Sequence, residues 1–414
     1  MRIFVWHGYL LAGTGSNIYA RQLAREWMRE GHEVTVFSQE PHPERYDLGG
    51  AATVRPDVGG LLPVFVLDEY EGYEVKRVQD CTRAELDRWV EANAEAMREQ
   101  LPADLVFVNH VLLGGPVGAA TGARYVVKAH GSELEYSMRG NPELSEWGRE
   151  ALAAAAAAIV GSQHIREVLD EICGHVGRVH EVPPGVDVEL WVPAAQDDAL
   201  AALLAESRQD PPNPGNANER LPDEGNADRL ATFLAGDRPT VVYFGKLIEN
   251  KGVQVLFEAL RGVDARAVIV GFGDYRSELE RLAQGLDVLF TGPLEHRHLV
   301  HLLALADAAV VPSIFPEAFG MVAAESASAG CPPIVANHSG LAEIAQGLER
   351  QYPLELRELP SFPNGDADVL RARLQAQLGL QGAERAALRE AARAATVALW
   401  SWTSVARRIL AATG

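Results

Sequence analysis

The stretch Val311-Pro312-Ser313-Ile314-Phe315-Pro316-Glu317-Ala318-Phe319-Gly320-Met321-Val322-Ala323-Ala324-Glu325 decides how this chain is read. Ala308 to Val311, running into it, is an apolar segment of strand length. Pro316 bars helix just ahead of Glu317. Ala318 to Ala329 is expected as a helix with small residues on several faces. Glu317 then lies on a strand-to-helix loop. The amides of Ala318 to Met321 become the open, partly positive helix end, a natural seat for phosphate. Glu325 follows at i+8, about two turns on, and is expected to project from nearly the same face as Glu317. Two carboxylates flanking one anion seat suit a ligand with hydroxyls on both sides of a phosphate, which describes a nucleotide sugar. The plainer alternative is a glutamate that only complements the helix dipole. The rest of the chain has to decide between them.

Working outward, strand-like runs alternate with helical ones on both sides of this stretch. Upstream stand Ile3 to Trp6, Val34 to Phe37, Leu105 to Val108, Tyr125 to Lys128, Ala158 to Val160 and Val179 to Val182. Nearer to it stand Thr240 to Phe244, Ala267 to Val270, Val288 to Phe290 and, beyond it, Pro333 to Ala336. Such alternation implies α/β architecture with two doubly wound parallel sheets. The expected domains are 1–188, with 400–414 returning to it, and 189–399. Residues 196–237, rich in Asp, Asn, Pro and Gly, are expected as an acidic mobile insert.

Ligands of doubly wound sheets sit beyond the carboxyl ends of the strands, so the residues just past each strand matter most. In the second half these include Gly245-Lys246-Leu247-Ile248-Glu249-Asn250-Lys251-Gly252. Lys246 and Lys251 there open onto the same sheet edge as Glu317, and they offset the repulsion between its carboxylate and a bound diphosphate. In the first half they include Tyr9, the Gly13-Thr14-Gly15-Ser16 loop, Asn109-His110 and His130-Gly131-Ser132-Glu133. The glycine loop is no dinucleotide fingerprint, because Ile18 stands where the third glycine would be. Gly245-Lys246-Leu247 is no Walker loop, lacking both the upstream Gly and the Ser or Thr after Lys. Asp366-Ala367-Asp368 imitates a metal-binding pair, but after Pro363-Asn364-Gly365 it reads as a turn and helix cap. No metal ligand set is expected.

The 414 residues carry a net charge of -20, which excludes broad nucleic-acid or acidic-membrane surfaces. Cys81, Cys173 and Cys331 are widely spaced, as in a reduced, cytoplasmic protein. No apolar run is long enough to span a bilayer.

With these residues in place, the chain resembles the family-4 retaining glycosyltransferases of the GT-B fold. The most specific element is Glu317-x7-Glu325 within Pro-Glu-Ala-Phe-Gly-Met. Gly245-Lys246-Leu247 through Lys251-Gly252 is similar to the family's G-R-L-x-x-x-K-G, with Lys246 in place of Arg. His130 to Glu133 is similar to its H-G-S-D, Val182 to Asp187 to its V-x-P-x-G-V-D, and Ser339 to Glu343 to its G-G-x-x-E, with Ser at the first Gly. The resemblance implies two Rossmann-like domains facing across a cleft, with a final helix from Trp402 crossing back to the first. It implies that Glu325 holds ribose hydroxyls and Glu317 touches the donor sugar. It implies that the amides of Phe319, Gly320 and Met321 bind phosphate or sugar, and that Lys246 and Lys251 neutralise the diphosphate. It puts His130 by the reacting sugar face, the Gly15 loop over the phosphates, and Tyr9, Asn109 and His110 on the acceptor side. The partners are a nucleoside-diphosphate sugar, UDP- or GDP-linked, and a small-molecule or glycan acceptor. The chemistry retains anomeric configuration without metal or other cofactor. Two competing functions are a nucleotide-sugar 2-epimerase of the same architecture, against which Glu317-x7-Glu325 with the two-lysine loop argues, and a non-catalytic sugar-nucleotide binder, against which the joint presence of His130, both lysines and both glutamates argues.

Overall fold

The computed structural model describes residues 1–414 except 12, 14 and 67–69, and, of residue 197, the main chain only. The chain divides into two compact units, Met1–Gly185 with Trp402–Gly414, and Val186–Ser401. Among the described residues, unit 1 holds β1 (Arg2–Trp6), β2 (Glu33–Phe37), β3 (Ala52–Val54), β4 (Leu61–Val64), β5 (Glu74–Arg77), β6 (Leu105–Asn109), β7 (Tyr125–Lys128), β8 (Ala157–Val160) and β9 (Val179–Glu181). Seven of these form one parallel sheet in the order β3-β2-β1-β6-β7-β8-β9, while β4 and β5 pair separately.

Successive residues of one strand serve opposite cores. Phe4 and Trp6 pack with Val106, Val108 and Val127 on one face, whereas Ile3 and Val5 pack with Leu105, Phe107 and Val126 on the other. This is why the strands read as continuous apolar runs rather than alternating ones. The helix Trp402–Thr413 covers the second face. Its Trp402, Val405, Ala406 and Ile409, spaced as one helical stripe, join Tyr19, Leu23 and Trp27 of the helix Gly15–Arg29. Trp27 Nε1–H donates to the Ala406 carbonyl at 3.2 Å.

Unit 2 contains β10 (Thr240–Phe244), β11 (Arg266–Val270), β12 (Val288–Phe290), β13 (Ala308–Val311), β14 (Pro333–Ala336) and β15 (Ser361–Phe362), parallel, in the order β12-β11-β10-β13-β14-β15. The short strands β3, β4, β5 and β15 were not expected from sequence: β3 and β5 are largely exposed and carry no apolar run, Pro63 interrupts β4, and β15 is two residues long. In each sheet the strand order reverses once, between β1 and β6 and between β10 and β13. A crevice opens at such a reversal, and the segments of interest lie there.

In the segment 196–237 the helical piece expected over Ala199 to Ser207 is present, while the part after it, expected as loop, holds a second helix. The segment carries the helices Gln196–Ser207 and Asn226–Phe233, and Leu203 and Leu230 are fully buried. Arg297 forks onto Glu206 at 2.8 Å and Asp210 at 2.7 Å, and Arg276 grips buried Asp223 at 2.8 and 2.6 Å. Its polar composition hid a few well-placed anchors. Among the described residues no helix is long and apolar enough to cross a membrane, and Cys81, Cys173 and Cys331 are free thiols.

Candidate active site

In unit 2 the site is built from three loops, following β10, β13 and β14. Gly252 ends the lysine loop with φ +71, and a Cβ there would lie 1.9 Å from the Pro312 carbonyl oxygen. Only glycine lets the lysine loop rest on the backbone that leads to Glu317. That contact brings Lys251 Nζ within 2.5 Å of Glu317 Oε1. Lys246, by contrast, is exposed, and its ammonium has no hydrogen bond or ion pair among the described residues. So the two lysines do different things. One is neutralised by the protein, and the other is available to a ligand.

The helix expected from Ala318 begins at Met321 and ends at Ser328, with Gly320 as its cap residue at φ +121. Pro316 and the requirements of Gly320 delay it. The open helix end is therefore formed by the amides of Met321 and Val322, which have no intrahelical acceptor, with Phe319 and Gly320 leading in. Because Glu317 precedes the helix, its direction is not set by helical periodicity as the i+8 spacing suggested. The next loop sets it instead. Glu317 N–H donates to Ser339 Oγ at 2.9 Å, and Gly340 N–H donates to the Glu317 carbonyl at 2.9 Å. The Phe319 side chain is buried edge-on to Trp400, with ring centroids 6.1 Å apart, so only its main chain can face a ligand.

Glu325 lies one turn into this helix, half-buried. Its carboxyl has no hydrogen bond or ion pair among the described residues, and burial pushes its pKa up to about 8. A desolvated carboxyl beside an open helix end, with no protein donor, is costly unless a ligand completes it. Asp366 caps the helix Ala367–Leu378 by accepting from Val369 N–H at 3.0 Å, and Asp368 pairs with Arg371. That pair is a turn and a cap, as its sequence context indicated.

In unit 1 the reversal between β1 and β6 gathers a histidine cluster. His7, directly past β1, is buried and lies 2.7 Å from Asn17 Oδ1, which therefore accepts from its Nε2–H. His110, past β6, takes the left-handed φ +70 and places Nδ1 3.1 Å from Glu133 Oε2. His130 Nε2–H donates to Asn109 Oδ1 at 2.9 Å, and its main-chain N–H donates to Glu133 Oε1 at 2.6 Å. The His110 and His130 rings lie 4.6 Å apart. Burial, then the His110 charge, holds His7 down at about 3 and His130 well below the usual imidazole range. Both are neutral hydrogen-bonding groups at physiological pH, and Glu133 is the carboxylate that organises the cluster. Burial also drags the ammonium of Lys128 down to about 7, over the Tyr19 ring.

The structure thus brings His130, Asn109 and His110 together in unit 1, and Lys251, Glu317, Gly320 and Met321 together in unit 2. Tyr9 lies edge-on to His7 and His110, buried, and its hydroxyl donates to the Pro63 carbonyl at 3.0 Å. Gly15 opens the helix Gly15–Arg29, and a Cβ there would meet nothing within 4 Å, while Thr14 of the same loop lies outside the described residues. Sequence reasoning assigned no role to His7, Asn17, Glu133, His338 or Ser339. Position just past a strand would have found His7 and His338. Nothing local marks Asn17.

Two family models match the chain, one described as Glycosyltransferase Family 4 over residues 13–190, the other as Glycosyl transferases group 1 over residues 226–394. The chain belongs to the family-4 glycosyltransferases. A D-inositol 3-phosphate glycosyltransferase of Xylanimonas cellulosilytica is 28% identical over 363 residues, covering 80% of this chain and 77% of that one. A GDP-mannose-dependent monoacylated alpha-(1-6)-phosphatidylinositol monomannoside mannosyltransferase of Corynebacterium glutamicum is 25% identical over 363 residues, 83% of this chain and 84% of that one. Among solved structures, sucrose-phosphate synthase from Thermosynechococcus elongatus aligns with TM-score 0.61 at 22% identity, over 99% of this glycosyltransferase and 97% of that chain. Anabaena HepE in complex with UDP and glucose aligns with TM-score 0.65 at 16% identity, over 99% and 98%. At those identities the structures speak for the GT-B fold alone.

Proposed function

We propose that this glycosyltransferase moves a sugar from a UDP- or GDP-linked donor to a hydroxyl of a small-molecule or glycan acceptor, with retention and without a metal. The observation that carries this reading is Glu325, a half-buried carboxyl lacking a protein donor, one turn inside an open helix end. Ribose hydroxyls complete the carboxyl, and the diphosphate takes the amides of Met321 and Val322. A diphosphate within 4 Å of a carboxylate is repelled by about 4 kcal/mol per charge pair at an effective dielectric of ~20. The Lys251–Glu317 pair removes one such carboxylate charge, and Lys246 supplies a free positive one. As the glycosidic bond breaks, negative charge grows on the leaving diphosphate, and the same groups stabilise it more than they stabilise the ground state. A donor phosphate oxygen on the same face takes the acceptor proton. His130, neutral and oriented by Asn109, serves as a hydrogen-bonding group toward the reacting sugar rather than as a base.

The names of the relatives favour inositol-based acceptors. The test is incubation with UDP-glucose or GDP-mannose, with and without inositol phosphate, followed by product analysis. We expect an α-linked product from these α-linked donors, unaffected by EDTA. Epimerised nucleotide sugar, an inverted product, or activity abolished by chelation and restored by manganese would each overturn the corresponding part.

A further inference from the structure

The loop after β14 contains a histidine that the proposed chemistry leaves unused. His338 Nε2 lies 2.6 Å from the Ser313 carbonyl oxygen. A carbonyl only accepts, so Nε2 carries the proton. In the neutral ring Nδ1 is then an acceptor, and Ser339 Oγ lies 3.2 Å from it. Ser339 Oγ–H donates there while accepting Glu317 N–H at 2.9 Å. The peptide that carries the Ser313 carbonyl continues into Ile314 N–H, which donates to the Asn250 carbonyl at 3.0 Å. Every donor therefore points the same way, from Glu317 through Ser339, His338 and the 313–314 peptide to Asn250. Aligned hydrogen bonds of this kind polarise one another. Asn250 precedes Lys251, whose ammonium returns to the Glu317 carboxylate at 2.5 Å. The circuit is closed and ties together the loops that follow β10, β13 and β14.

Two further facts show that the circuit is built under constraint. Ser339 holds φ +49, a left-handed conformation that a serine rarely takes. A Cβ on Gly340 would lie 2.6 Å from the Phe319 main chain, so the two loops touch backbone to backbone. We infer that His338 and Ser339 are positioning residues for Glu317, fixing where its carboxylate meets the donor sugar. This rests on the donor-site reading, in which Glu317 faces the sugar rather than the nucleotide.

The test compares binding of UDP-glucose with UDP, and of GDP-mannose with GDP, by calorimetry. The measured quantity is the gain in affinity due to the sugar. Glu317→Ala should remove that gain. His338→Ala and Ser339→Ala should each reduce it about tenfold, the scale of one charge-assisted hydrogen bond, while leaving affinity for the bare nucleoside diphosphate unchanged. His338→Gln, which can donate to Ser313 and accept from Ser339, should restore part of it. In a Glu317→Ala background His338→Ala should cost nothing more, as residues acting through one partner are not additive. A full gain in His338→Ala beside a lost gain in Glu317→Ala overturns this inference and spares the donor site. So does a further loss in the double variant. A wild-type chain with no gain from either sugar, or a silent Glu317→Ala, overturns both. Should His338→Ala lose its cooperative unfolding transition, Ser339→Ala, which keeps the imidazole, takes its place: a tenfold smaller gain supports the inference, and a full gain overturns it.

Discussion

At the scale of a residue, Glu325 shows what burial does to a charge when no partner is supplied. Its carboxyl keeps its proton to about pH 8 in the free protein. If Glu325 holds ribose hydroxyls as proposed, these favour the ionised acceptor, and donor binding should draw the proton off. Nucleoside diphosphate binding near pH 7 should release protons, seen as a dependence of calorimetric heat on buffer ionisation enthalpy. Affinity should rise with pH and flatten above about 8. The same shift disfavours the folded state as pH climbs from 4.5 to about 8, because only the unfolded chain ionises over that range. Glu325→Ala should weaken nucleoside diphosphate binding about ten- to hundredfold and abolish its pH dependence. Unaltered affinity would refute the ribose assignment. That Glu317, Lys246 and Lys251 lie past strands, with Glu325 on the helix that follows, was legible in the sequence. Which lysine pairs with which carboxylate was not, because Gly252 and the Pro312 carbonyl, remote from it in sequence, set the answer.

At the scale of elements, the inner strands β1, β6, β10 and β13 were readable because they are apolar on both faces, whereas the edge strands β3 and β15 were missed. The helix Met321–Ser328 starts three residues later than expected, because Pro316 and the packing that holds Gly320 at φ +121 against Leu341 delay it, and neither Ala318 nor Phe319 reports that packing. Gly252→Ala should expose that dependence. The left-handed backbone and the overlap with Pro312 should cost about 2 kcal/mol or more in denaturant unfolding, and Lys251 should lose its partner. The helix Asn226–Phe233 escaped the sequence because composition reports average polarity and not where a single acid sits. Asp223 is buried against Arg276. Asp223→Ala should destabilise unit 2 near the lower end of the about 3–5 kcal/mol expected for a broken buried pair, since Glu280 still serves Arg276. Glu280→Ala, at an exposed pair, should cost about 1 kcal/mol or less.

At the scale of the whole molecule, the chain leaves unit 1 after Gly185 and re-enters it at Trp402. The two ends of unit 2 are joined: Val186 N–H donates to the Trp400 carbonyl at 2.6 Å, and Val186 bridges to Ser401. This makes synthesis order and folding order diverge. A domain at the start of a chain ordinarily folds while the rest is still being made. Here unit 1 waits, because the stripe Trp402, Val405, Ala406 and Ile409 that closes its second core is translated only after all of unit 2. A nascent chain halted within unit 2 should expose the side of Tyr19, Leu23 and Trp27 that this stripe covers. It should be cut by protease in the helix Gly15–Arg29, and a separately supplied 402–414 peptide should protect it. During elongation that uncovered apolar face should be open to chaperones, and in the finished molecule the helix Trp402–Thr413 covers it.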